Sequence, residues 1–142
     1  MSVSVQDIEN AIMAKLASAL PELSVEAFPE RPEEYELLHP LGAVLVQYDG
    51  SSYSQNSVSN GAVAQVRKPK FSVVYLVRNL RDAAGCYDIL DRGREALCGL
   101  CITGAITPME ITYEGFTAEH DGVWIYTQMY ETSARSVHAP HK

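Results

Sequence analysis

The sequence is poor in positive charge: 11 Lys and Arg stand against 18 Asp and Glu, a formal net charge of −7. A protein that reads duplex nucleic acid presents a basic face to neutralise phosphates, and this balance speaks against that class. Apolar runs are short, none approaching the ~20 residues of a membrane helix. Met1 to Asn10 is polar, with Asp7 and Glu9 and no basic residue, so it does not read as a secretory signal. Cysteine is scarce and odd in number, Cys86, Cys98 and Cys101, which fits free thiols in a reducing compartment. Missing too are a glycine-rich phosphate loop, a G-x-S-x-G elbow and any kinase or dinucleotide signature.

What is present is an ordinary globular composition, 46% hydrophobic and 20% charged over 142 residues, the size of one domain with one core. Ser4 and Asp7 form a variant capping box, and Ile8, Ala11, Ile12, Leu16 and Ala19 follow at helical spacing. They predict a first helix over about Val5 to Leu20, stopped by Pro21. Leu23, Val25 and Ala27 alternate with polar neighbours as in a short edge strand that Pro29 ends. Pro29 to Pro40 is proline-rich and acidic and reads as an irregular connection. Ala43 to Tyr48 is a valine-rich buried strand between Gly42 and Gly50. Asp49 to Gly61, nearly free of large apolar residues, reads as a mobile loop or a projecting arm.

Ala62 to Arg67 and Phe71 to Val77 predict two further strands. A second helix over about Arg81 to Cys98 carries Cys86, Ile89, Leu90, Gly93 and Leu97 on one face, with Gly99 as its cap. Met109 to Thr117 and Val123 to Thr132 are β-rich and joined through Asp121-Gly122, a hairpin turn signal. In the last strand Trp124, Tyr126, Gln128 and Tyr130 share one face, and a strand with a second aromatic face is often covered on both sides, by helices or by a neighbour. The expectation is an α+β domain over residues 1–132, a mixed or mainly antiparallel sheet of four to five strands with two helices on one face. Residues 133–142 are expected to form a flexible tail.

Candidate chemistry is thin. Cys98-Gly99-Leu100-Cys101 is a C-x-x-C pair, a pattern used for redox dithiols and half zinc sites. It closes a helix, however, where the dipole opposes a thiolate, and no further pair of ligands stands at suitable spacing. A small thiol redox or metal-binding protein using Cys98 and Cys101 is nonetheless the alternative reading. His39, His120, His138 and His141 show no triad or metal-helix spacing. Glu26, Glu30, Glu33, Glu34 and Glu36 make an acidic connection broken only by Arg31, and Arg67, Lys68 and Lys70 make a basic cluster. Two such complementary patches are what a head-to-tail ring requires, although ordinary charge scatter also accounts for them. No catalytic, cofactor-binding or metal-binding residue is assigned; the candidate interface residues are Glu30, Glu33, Glu34, Tyr53, Arg67, Lys68, Lys70, Trp124 and Tyr126.

Three segments, Phe28-Pro29-Glu30-Arg31-Pro32-Glu33-Glu34-Tyr35, His39-Pro40-Leu41-Gly42-Ala43-Val44-Leu45-Val46-Gln47-Tyr48 and Glu119-His120-Asp121-Gly122-Val123-Trp124-Ile125-Tyr126, resemble the small tail proteins of Mu-like phages and prophages. These are of the tail-terminator or tail-completion type. The resemblance implies a non-enzymatic virion subunit, assembled in the host cytoplasm into a ring, typically six-fold, at the head-proximal end of a tail. Its implied partners are copies of itself, the tube and sheath proteins and the neck or connector proteins, with DNA passing through the lumen without specific binding and no membrane contact. Another ring protein of the head-to-tail junction fits the same pattern. A host-side binding module that captures a protein with its polar arm is a further alternative.

Overall fold

In the computed structural model, residues 3–82 and 85–141 are described. Helix α1 (Val5–Ala19) starts as its sequence predicts: Ser4 Oγ accepts from the Asp7 amide at 3.0 Å while the Asp7 carboxylate accepts from the Ser4 amide at 3.4 Å. Its buried stripe is Ile8, Ile12 and Leu16. Strand β1 (Ser24–Ala27) is the expected short edge strand and runs parallel to β2 (Gly42–Tyr53). A single 3-10 turn, Pro32–Glu34, punctuates the connection between them. Strand β3 (Val63–Val77) pairs antiparallel with β2, and helix α2 (Cys86–Leu97) then crosses back. The chain closes with β4 (Thr107–His120) and β5 (Val123–His138).

The five strands lie in the order β1-β2-β3-β5-β4, parallel only at the β1–β2 pair. This is the α+β class expected, a mixed sheet with two helices. The helices contribute Ile8, Ile12, Leu16, Ile89 and Leu97 to one core cluster with Val44, Val46, Phe71, Val73, Tyr75 and Tyr130, so both pack on the same sheet face. The pleat explains the choice: in β3 every second residue from Phe71 to Val77 is fully buried toward the helices.

Strand lengths differ from the sequence reading. The buried strand predicted to stop at Tyr48 continues to Tyr53 through a bulge at Asp49, where Gly50 takes a φ of +117°. The two strands predicted around residue 69 are one strand, because Pro69 is accommodated inside β3 where the β3–β5 ladder skips from Arg67↔Ala134 to Lys70↔Glu131. The last strand does not end at Thr132. Ala134 to His138 are laddered against Arg67 to Val63 of β3, and Ser133 against Thr107 of β4, so six residues assigned to the tail are strand. The helix start expected near Arg81 falls instead at Cys86, with Gly85 as its N-cap. The Asp121-Gly122 turn has positive φ at both residues, 52° and 81°, the geometry of a two-residue hairpin matched to strand twist.

Candidate functional site

Strands β2, β3 and β5 outrun the helices. Beyond Arg67 and Ala134 the ends of β2, β3 and β5 form a three-stranded arm with no helix over it. The segment read as a mobile loop or a projecting arm is thus an ordered projection. Its tip is held by local bonds: the Asn56 carboxamide oxygen accepts from the amides of Ala64 at 2.9 Å and Val58 at 3.2 Å, and its NH2 donates to the Ala62 carbonyl at 3.1 Å. Ser54 Oγ accepts from the Val66 amide at 2.8 Å. Polar residues replace hydrophobic burial as the cement.

The arm exposes β-branched and aromatic side chains, with Tyr53 54% and Val137 58% accessible and Val58, Val63 and Val66 also exposed. Its charge has one sign. Residues 50–70 and 133–141 contain no Asp or Glu, while Lys68, Lys70 and Arg135 are exposed on it. Among the described residues these three make no ion pair, although Glu131 lies across the ladder from Lys70. Arg67 differs from its neighbours: it is half-buried, its guanidinium donates to the Val3 carbonyl, and its Nε has no partner. It anchors the N-terminal segment to the base of the arm.

At the other end of β2 the acidic connection folds over the sheet face opposite the helices. Ala43 and Leu45 are buried there yet stand outside the helix-side cluster, and Ser24 and Glu26 share a cleft with Tyr35, Leu37, Leu38 and His39. Burial, followed by the Glu26 carboxylate, pushes the Tyr35 phenol up from its ordinary value. Arg78 clamps the segment from β3, donating to the carbonyls of Leu37 at 2.8 Å and His39 at 3.2 Å. Outside the clamp Glu30, Glu33, Glu34 and Glu36 are exposed, and Leu38 is 83% accessible. Arg31 approaches Glu34 at 3.8 Å, both well exposed.

Trp124 and Tyr126 are on the helix face, one of the two coverings, helices or a neighbour, that the strand pattern leaves open. They are half-buried against the core and gather with Phe116 and Tyr87, with ring centroids 5.5 Å apart for Phe116–Tyr126, 6.2 Å for Phe116–Trp124 and 6.4 Å for Tyr87–Tyr126. Arg81 stacks over Tyr87 at 5.7 Å. The rest of the other face of β5, with Met129 exposed beside Tyr113 of β4, carries no helix. The structure therefore separates the predicted residues into three places: Glu30, Glu33 and Glu34 on the connection, Tyr53, Lys68 and Lys70 on the arm with Arg67 at its base, and Trp124 with Tyr126 in the aromatic cluster. Arg135, Leu38 and Val137 were missed because each stands alone in a segment read as tail or connection.

The thiols are dispersed in character. Cys98 caps the C-terminal end of α2 and is exposed, as is Cys101; Cys86 is buried in the first turn of α2, and desolvation pushes its thiol up to about 12. Among the described residues no three His, Cys, Asp or Glu side chains gather in a way that could hold a metal ion, and no helix is long and apolar enough to cross a membrane.

A sheet of this order, with two helices on one face and a three-stranded arm, defines an α+β domain. The chain belongs to the Gp37 protein family, whose model matches residues 12–141. It shares its fold with a chain in the virion of a native gene transfer agent particle: TM-score 0.53 at 14% identity, covering 91% of this chain and 95% of that one. No curated protein matches.

Proposed function

We propose that the protein is a structural component of a phage-type virion, a non-catalytic subunit that assembles as a ring on the head-proximal end of a tail. There it stops tube and sheath growth and offers the neck proteins a seat. The observation that carries this reading is the fold shared, over nearly the full length of both chains, with a subunit of a gene transfer agent virion. Membership of the Gp37 family and the tail-terminator resemblance of the three sequence segments support it. So does the surface, because two segregated, oppositely charged regions and an arm offer contacts for neighbours. A ring of subunits each carrying a net charge of −7 repels phosphates, so duplex DNA slides through its lumen without being gripped.

The test is negative-stain imaging of the purified protein alone and mixed with tail tubes from its own particle. The expected result is rings on one end of each tube, with the tubes no longer extending when free tube protein is added. Protein that stays monomeric and leaves tube ends bare and growing overturns the reading.

A further inference from the structure

The acidic connection and the basic arm sit at opposite ends of one strand. Strand β1 and the connection lie beside Ala43 to Val46 of β2, whereas the arm starts at Gly50 and reaches past Tyr53. From Leu45 to Tyr53 is roughly 25 Å at about 3.3 Å per residue, so an arm cannot fold back onto the connection of its own chain. Among the described residues, Lys68, Lys70 and Arg135 form no ion pair, with Glu131 the one carboxylate across the ladder from them, and the carboxylates of the connection pair with no cation but Arg31.

Resting on the ring reading above, we infer that the ring is closed by the arm of one subunit seated on the acidic connection of the next copy of this chain. The two surfaces match in apolar character as well as charge. The arm presents Val66 and Val137 on the same face as Lys68, Lys70 and Arg135; the connection presents Leu38 beside Glu34 and Glu36. Apolar contact supplies affinity, and the opposed charges fix which surface meets which. Because the two patches differ, the contact is heterologous, and repeated around an axis it closes into a ring.

Two charge-reversed proteins test the pairing. One carries Lys68→Glu with Arg135→Glu, avoiding Lys70 because Glu131 faces it; the other carries Glu33→Lys with Glu36→Lys, leaving the Arg31–Glu34 pair intact. All four positions are exposed, and unchanged melting curves check that each variant folds. Native mass spectrometry is expected to show each variant alone losing at least ten-fold of the wild-type ring population. An equimolar mixture is expected to recover rings of alternating composition, since the acidic arm of one then fits the basic connection of the other. Rings undiminished in either variant, or lost and not recovered on mixing, overturn this interface while leaving the ring reading standing. Wild-type protein that forms no ring, alone or on tubes, overturns the ring reading itself. Salt-sensitive binding of a short DNA duplex by the wild type, abolished by the arm reversal while rings persist, identifies the arm as a nucleic-acid contact and overturns the interface.

Discussion

Gln128 is buried in the middle of β5 and satisfied on every side. Its carboxamide oxygen accepts from the Tyr75 hydroxyl at 2.7 Å and the Tyr130 hydroxyl at 2.6 Å, and its NH2 donates to the Leu90 carbonyl at 3.1 Å. The network ties β3, β5 and α2 together, and its cost of desolvation is met because no polar atom in it is left alone. Gly93 makes room for it: a Cβ at that position would lie 2.1 Å from Tyr75 Oη. Alanine is the better helix former by about 1 kcal/mol, yet Gly93→Ala is expected to destabilise the protein by about 1–3 kcal/mol in denaturant unfolding, because Tyr75 cannot retreat without breaking its bond to Gln128. Cys86, nearby, supplies a pH dependence. Burial pushes its thiol up from the ordinary 9.0 of an exposed cysteine to about 12 in the folded protein, the desolvated site favouring the neutral form. The raised folded value means that this contribution is fully present below pH 9 and is lost as pH rises from 9 towards 12. Burial moves Tyr75 and Tyr130 the same way. The melting temperature is therefore expected to fall above about pH 9, and to fall less steeply in Cys86→Ala, where one proton is removed from the linkage.

At the scale of elements, the sequence was most readable where one physical signal dominated. The capping box of α1, the stripe of α2 and the Asp121-Gly122 turn each specified their element directly. The lengths of β2, β3 and β5 were not readable, because one end of each strand lies in the arm, where no core imposes alternation on the side chains. Ser51, Ser52 and Ser133 to Ser136 have a loop's composition and are strand only because neighbouring strands hold them in the ladder. Pro69 reinforced the error; its missing amide coincides with the gap in the β3–β5 pairing and, across β2, with the Asp49 bulge. Together these irregularities mark where the arm leaves the helix-covered sheet. The arm should then be separable from the body. Joining Ser54 to Val66, which face each other across the hairpin, through an Asn-Gly turn in place of residues 55–65 removes no core residue. The shortened protein is expected to unfold within about 1 kcal/mol of wild type and, because Lys68, Lys70 and Arg135 remain, to weaken rather than abolish rings in gel filtration.

For the whole molecule, the separation of charge was half visible in advance. The acidic run and the Arg67, Lys68, Lys70 cluster are plain in the sequence, but only the register of β2 puts them at opposite ends, and only the course of β5 adds Arg135 to the basic side. Period-two alternation puts Trp124 and Tyr126 on one face of β5 but does not say whether helices or a neighbour cover that face. The arm's geometry also bears on the life of a subunit before it meets a neighbour. Strand β1 pairs β2 only as far as Val46, so beyond that point the outer edge of β2 carries backbone groups with no strand beside them. Such an edge anneals with others of its kind and seeds aggregates, and lysine beside it is the usual deterrent. Lys68 and Lys70, one strand in from that edge on β3 and paired across the ladder with Ser52 and Gly50, place positive charge next to it. Two unassembled chains that bring these edges together bring like charges together, which opposes sticking by their backbones.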